Sequence, residues 1–194
     1  YMADQKDPQA LDVLSPAFHK GMLTTADEME NLSKFYAYKE DPFAAAQTLR
    51  ASMDNGFSKP SYKLYRRLGN FWLQAKENNK AIGAFRSALE FKPNDVDAHR
   101  YLASIYLESE DWAELKALLQ PYAPEGDSDK GRRALMLGIA HFRLGDPASA
   151  KSSLNRAQDY TITAPSAGQW LAYIDDICPD STDNTAAAGR DNVG

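Results

Sequence analysis

A pair of residues recurs along the chain at a nearly constant interval. A leucine followed by a small residue occurs 36, 34 and 35 residues apart at Leu32-Ser33, Leu68-Gly69, Leu102-Ala103 and Leu137-Gly138. A ring-bearing residue follows each pair three positions later, at Tyr36, Trp72, Tyr106 and His141. A unit of this length buries its apolar face only against a neighbouring unit, so the period predicts an array of stacked repeats.

Each repeat carries a second pattern that predicts two helices joined by a tight turn. A small or aliphatic residue and a bulky one four positions later recur at Ala45 and Leu49, Ala81 and Phe85, Leu115 and Leu119, and Ala150 and Leu154. The breaks "EDP", "KEN", "EDW" and "GDP" precede these columns, and Asp before Pro favours a helix start. Spacings of three and four are helical, so we predict an all-α chain of antiparallel helix pairs.

The register divides the chain into segments. We expect a partial N-terminal helical unit over residues 1–25, interrupted at Ser15-Pro16. Four repeats follow, at about 26–60, 61–95, 96–130 and 131–164. A lone helix over 165–178 would cap the last apolar face, as the ends of repeat arrays require. Residues 179–194 have few apolar side chains, and we expect them to be disordered.

Composition restricts the classes of function. The net charge of −5 argues against nucleic acid as the main partner, because phosphate binding relies on clustered positive charge. The sequence has no apolar run long enough for a direct membrane span. It starts at Tyr1 without a visible signal, so we interpret it as a fragment or mature form. The single Cys178 excludes a disulfide within the chain and suits the periplasm or the cytoplasm equally.

Catalytic chemistry finds little support in the sequence. His19, His99 and His141 lie in different units without ligand spacing, and a packed imidazole explains each of them. Phosphate-binding loops, dinucleotide turns and serine-hydrolase motifs are missing from the sequence. We therefore predict a non-enzymatic protein without a cofactor or a metal.

The second repeat resembles the tetratricopeptide repeat, or TPR, at its signature positions. These are Tyr65, Leu68, Gly69, Trp72, Ala81, Phe85, Ala88 and Pro93. The fourth repeat retains several of them, and the first and third are degenerate but in register. The resemblance covers residues 26–177 and implies a right-handed α-solenoid, the TPR superhelix.

A narrower resemblance involves segments such as "TTADEMENLSKFY", "LYRRLGNFWLQAKENNKAI" and "AGQWLAYI". It is similar to the C-terminal part of TPR proteins associated with TonB-type energy transduction clusters of gammaproteobacteria. This implies a periplasmic accessory of a TonB–ExbB–ExbD complex, with TonB-, ExbB- or ExbD-type proteins as partners. The longer N-terminal region of those proteins has no counterpart in this sequence.

The TPR resemblance also implies which side chains face the concave groove. In the repeats with basic or apolar groove positions, these are Lys63, Arg66, Asn70, Leu73, Arg100, Leu107, Arg132, Leu135, Ile139 and Phe142. The arginines could hold the carboxylates of a peptide, with Leu135, Ile139 and Phe142 as an apolar shelf. An equal alternative is that the basic side chains pair with acidic residues of adjacent helices.

Three functions remain open from the sequence. The first is a scaffold that binds a protein segment in its groove. The second is an envelope assembly adaptor or lipoprotein for outer-membrane or polysaccharide machinery. The third is a repeat module attached to an upstream catalytic domain. The sequence leaves the oligomeric state open.

Overall fold

The computed structural model describes residues 8–178, and side chains from residue 11 onward. Over this range the chain forms helices and no strand. The helices are α1 (Pro8–His19), α2 (Ala26–Tyr38), α3 (Pro42–Asp54), α4 (Tyr62–Gln74), α5 (Asn78–Phe91), α6 (Val96–Glu108), α7 (Trp112–Leu119), α8 (Asp127–Arg143), α9 (Pro147–Gln158) and α10 (Ala164–Ile177). The predicted tail at 179–194 and the first seven residues lie outside the described part.

Two compact units divide the chain within α6, between Ile105 and Tyr106. The first unit contains α1 to α5 and most of α6. The second contains the end of α6 and α7 to α10. In both, consecutive helices pack as pairs: α2 on α3, α4 on α5 and α8 on α9.

The same turn ends the first helix of all four predicted repeats. Glu40, Lys76, Glu110 and Gly145 have φ angles of 59°, 59°, 56° and 79°. In each turn the next residue donates its N–H to the carbonyl of the ring-bearing column residue, as in Asp41 N to Tyr36 O at 2.9 Å. This left-handed closure satisfies carbonyls that the helix end leaves open. Three of the four turns form it without glycine, at a cost in backbone strain.

Side-chain caps then start the second helix of three repeats. Asp41, Asp111 and Asp146 accept hydrogen bonds from the backbone N–H three residues later. The second repeat has Glu77 at this position, without a side-chain cap. Aspartate is favoured here because its carboxylate satisfies a free N–H group at a positive helix end.

Small residues let paired helices approach closely. A Cβ on Gly69 of α4 would lie 2.7 Å from the fully buried ring of Phe85 in α5. A Cβ on Gly138 of α8 would lie 2.5 Å from Leu154 in α9. Both positions therefore require glycine for the close packing of the two helices in the second and fourth repeats.

The two ends of the described chain differ from the repeats. The expected interruption at Ser15-Pro16 is wrong, because α1 runs continuously through Pro16. Helix α1 packs against α2 at this point, where the Tyr36 hydroxyl donates a hydrogen bond to the Ser15 hydroxyl at 2.7 Å. At the other end α10 packs on α9, where Ile174 and Ala167 join the core around Leu154.

None of the helices over residues 8–178 has the length and apolarity that crossing a bilayer requires.

Candidate functional site

An open groove of about 710 Å³ lies in the first unit, between α4 and the start of α6. Its lining comprises Tyr62, Lys63, Arg66, Arg67, Asn70, Lys92, Asn94, Asp95, Val96 and Asp97. Four of these side chains are cationic and two are acidic. The groove is thus positive within a chain whose net charge is −5.

Helix α4 supplies one wall of this groove. Ser61 caps α4 by accepting from the Leu64 N–H, so the helix begins at Tyr62. Lys63, Arg66 and Asn70 then recur at intervals of three and four and share a face. The opposite face carries Leu68 and Trp72 into the core. The basic wall therefore follows from the register of the buried residues.

Arg66 and Arg100 converge on the carboxylate of Asp97. Arg66 Nη1 lies 2.9 Å from Asp97 Oδ2, and Arg100 Nη1 lies 3.9 Å from Asp97 Oδ1. All three side chains are about half exposed. The alternative that the sequence left open, pairing with an acidic residue of another helix, is present at Arg66. The carboxylate of Asp97 thus occupies the place where Arg66 and Arg100 could bind the carboxylate of a ligand.

A second carboxylate of the groove lining, Asp95, is buried and directly precedes α6. It accepts hydrogen bonds from the Tyr62 hydroxyl at 2.6 Å, from the Ala98 N–H at 2.9 Å and from Lys92 Nζ at 3.1 Å. Burial acts to raise the pKa of Asp95, but these three donors outweigh it and the pKa lies below its usual value. Asp95 is therefore charged and fully engaged at neutral pH.

The Tyr62 hydroxyl links the two carboxylate clusters. It donates to Asp95 and accepts from Arg66 Nη1 at 3.3 Å. Burial and the hydrogen bond to Asp95 raise the pKa of Tyr62. The phenol consequently stays protonated and fixes the position of Arg66 beside the groove.

Lys63 and Asn70 are two groove residues with capacity for a ligand. Lys63 is exposed, and within residues 8–178 no ion pair engages it. Asn70 is half-buried and lines the groove one turn further along α4. Leu73 is also half-buried on α4 but does not line this groove.

The remaining predicted residues lie in the second unit. Leu107 is exposed near the end of α6, and Arg132 is exposed on α8. Leu135 and Phe142 of α8 pack beside α10, whereas Ile139 is half-buried on the same helix. Phe142 meets the rings of Trp170 and Tyr173 at centroid distances of 6.0 and 5.8 Å. The predicted apolar shelf is thus partly covered by aromatic side chains of α10.

Several groove residues escaped the sequence reasoning. Tyr62 and Lys92 are not at TPR groove positions. Both join the site through hydrogen bonds to Asp95, which lies 33 residues after Tyr62 and 3 residues after Lys92. Arg67 pairs with Glu30 of α2 at 2.6 Å and lies beside Arg66. The sequence signal that could have pointed to the cluster is the "KPNDVD" segment, which places two carboxylates at the start of α6.

Comparison with solved structures shows the fold. A segment of MamA from Desulfovibrio magneticus RS-1 is similar with a TM-score of 0.59 and 16% identity, over 78% of this chain and 84% of that one. YrrB, described as a TPR protein with an unusual peptide-binding site, gives a TM-score of 0.56 and 12% identity, over 87% and 93%. The C-terminal part of a TPR protein from Cytophaga hutchinsonii gives 0.60 and 13%, over 91% and 68%.

The fold is therefore the all-helical solenoid of TPR proteins, as the repeat register predicted. The protein-family models give no match to this chain. The curated proteins give no match either.

Proposed function

We propose that this chain is a non-catalytic scaffold that binds a protein segment bearing carboxylates in the α4–α6 groove. The observation that carries the proposal is the positive groove of about 710 Å³ in an acidic chain. Concentrated positive charge in a concave surface attracts the carboxylates of a partner even where the net charge of the chain is negative. YrrB, which has a similar fold, is described as having a peptide-binding site, and this agrees with such a role.

The geometry suits side-chain carboxylates on an extended or helical segment. Lys63 offers a free ammonium group at one point of α4, and Asn70 offers an amide at another. Arg66 of α4 and Arg100 of α6 both lie near Asp97 and can exchange it for a carboxylate of the partner. Arg forks bind carboxylates at two points, which adds orientation to attraction.

A finer proposal is that the partner belongs to a TonB-type system in the periplasm. It rests on the sequence resemblance to TPR proteins associated with TonB-type clusters, and TonB-, ExbB- or ExbD-type proteins would be the partners. Cytoplasmic location is the alternative. An envelope assembly adaptor and a module attached to an upstream catalytic domain remain the competing functions.

Site-specific photocrosslinking in cells tests this proposal. A photoreactive amino acid replaces Asn70 in the groove, and a matched variant carries it at the exposed Asn79 of α5, which does not line the groove. Capture of a TonB-, ExbB- or ExbD-type protein from position 70 but not from position 79 is expected. The same products from both positions would contradict the groove. Capture from position 70 of cytoplasmic proteins only would contradict the finer proposal and leave the groove assignment standing.

A further inference from the structure

A second basic pocket lies in the other unit, where the loop that joins α7 to α8 forms part of its lining. It has a volume of about 310 Å³. Its charged side chains are Lys130, Arg133 and Arg156, and its rings are those of Tyr122 and Tyr160. Of the described residues that line it, none is acidic. This pocket shares no residue with the α4–α6 groove and is not among the positions that the repeat register predicted.

The local fold explains how these side chains are brought together. Lys130 and Arg133 are three residues apart on α8, whereas Arg156 lies in the last turn of α9 and Tyr160 follows in the turn before α10. Gly131 lets the α9–α10 turn approach α8, since a Cβ there would lie 2.8 Å from Tyr160 Cβ. Thr163 fixes this turn by donating to the Ala157 carbonyl at 2.7 Å. Helix α8 and the α9–α10 turn therefore converge on the pocket.

Arg133 is held in place by backbone carbonyls. Its Nε and Nη2 donate to Leu119 O and Gln120 O, both at 2.7 Å, and thus satisfy the C-terminal end of α7. Those two bonds orient the guanidinium and leave its other N–H groups for a ligand. These carbonyls carry only the partial negative charge of a helix end, so they offset part of the guanidinium charge and not all of it.

The positive charges of the pocket act on each other. Burial lowers the pKa of Arg133, and the nearby charge of Arg156 lowers it further. Lys130 pairs with Asp127 at 3.1 Å, and Asp127 lies at the exposed start of α8. Packing of α9 on α8 sets the position of Arg156 along the helix, and its side chain is exposed, whereas Arg133 caps α7. An anion between them would relieve this repulsion.

We propose that the pocket formed by Lys130, Arg133, Arg156 and Tyr160 binds a phosphate group. Guanidinium groups match the oxygens of a phosphate in paired hydrogen bonds, and a tyrosine hydroxyl can donate a further one. The volume is at the small end of ligand sites and suits one phosphate group with its attached atoms. A free phosphate and a phosphorylated side chain of a protein offer the same chemistry.

Titrations followed by backbone NMR test the proposal. The probes are inorganic phosphate, a short phosphoserine peptide and its unphosphorylated form, all at constant ionic strength so that screening is equal. We expect saturable shifts at the amides of Ala123 and Tyr160. Saturation by inorganic phosphate would indicate a free ion, and saturation by the phosphopeptide only would indicate a protein side chain. A lack of saturation with both would overturn the proposal.

Arg156→Gln is the test variant because Arg156 is exposed and does not cap a helix. Loss of a hydrogen bond to a charged group should weaken binding about tenfold or more. Arg50→Gln makes the same charge change on α3 of the other unit, where Arg50 pairs with Asp54, and should leave binding unchanged. Equal phosphate binding by Arg156→Gln and the unsubstituted protein would also overturn the proposal.

Discussion

Arg66 of α4 and Asp97 of α6 form an ion pair across the candidate groove, with Nη1 and Oδ2 at 2.9 Å. Both side chains are about half exposed, so the pair contributes little to stability. Its importance is for binding, because Asp97 lies within reach of Arg66 and of Arg100. A partner's carboxylate that takes its place would gain two guanidinium groups already in position.

Removing the charge of Asp97 should therefore strengthen binding of an acidic peptide. We expect Asp97→Asn to raise the affinity about three- to tenfold, since Arg66 and Arg100 lose their competing carboxylate. The measurement is fluorescence anisotropy with a labelled acidic peptide. Asp54→Asn changes the same charge outside the groove and should have little effect. Equal gains in both variants would mean that only the net charge matters.

The turn that the repeats share predicts that glycine at its positive-φ position stabilises the protein. Lys76 adopts a φ of 59°, which is costly for a residue with a Cβ, whereas Gly145 occupies the same place in the fourth repeat. Lys76→Gly should raise the free energy of unfolding by about 0.5–1 kcal/mol, after the greater backbone entropy of glycine is subtracted. Gly145→Ala should lower it by a similar amount. Urea denaturation measures both, and a loss of stability in Lys76→Gly would refute the strain argument.

Close packing between α4 and α5 predicts that adding a methyl group at Gly69 lowers the stability of the protein. In Gly69→Ala the new Cβ would overlap the buried Phe85 ring, so we expect a decrease of about 1–3 kcal/mol in the free energy of unfolding. Gly83 of α5 has nothing within 4 Å of its Cβ position. Gly83→Ala should therefore be neutral or stabilising, by up to about 1 kcal/mol. Thermal denaturation of the two variants separates packing from helix propensity, and equal effects would contradict this account.

Acid should weaken the first unit through His99. This side chain is 5% exposed, and its Nδ1 lies 2.9 Å from the Asp95 carbonyl oxygen. Burial lowers the pKa of His99 below its ordinary value of 6.5, although the contact with Asp95 opposes this. The unfolded chain then binds the proton at higher pH than the folded chain. The free energy of unfolding should fall as the pH drops from 6.5 toward the folded pKa.

Urea denaturation at pH 7.5 and 5.5 checks this dependence. We expect His99→Gln to reduce the difference between the two pH values. His141, whose pKa burial also lowers, should account for part of what remains. His19→Gln, at the exposed end of α1, is the control. A pH dependence unchanged by His99→Gln would exclude His99 as its source.

The repeat register accounts for most of the fold because it acts through local rules. Leu68, Gly69 and Phe85 are all buried, and their spacing alone indicates helix pairs. Pro16 shows where the local rule fails, since tertiary packing of α1 on α2 coincides with a helix that continues through it. Local propensity is a weak guide where packing competes with it.

The site was less predictable because its geometry depends on side-chain partners. The TPR resemblance placed Lys63, Arg66 and Asn70 on one face of α4, where the structure has them lining the groove. It could not indicate that Asp97 would pair with Arg66, or that Tyr62 would join Asp95. Such contacts connect residues more than 30 positions apart, and repeat spacing carries no information about them.

The most direct test of the central claim is the affinity of an acidic peptide for Lys63→Glu and Lys59→Glu. The two variants make the same charge change on exposed lysines, but only Lys63 lines the groove. Anisotropy titrations near physiological salt, where the screening length is about 8 Å, limit the contribution of distant charge. The account predicts at least about tenfold weaker binding for Lys63→Glu and near-unchanged binding for Lys59→Glu. Equal affinities for the two variants would contradict it.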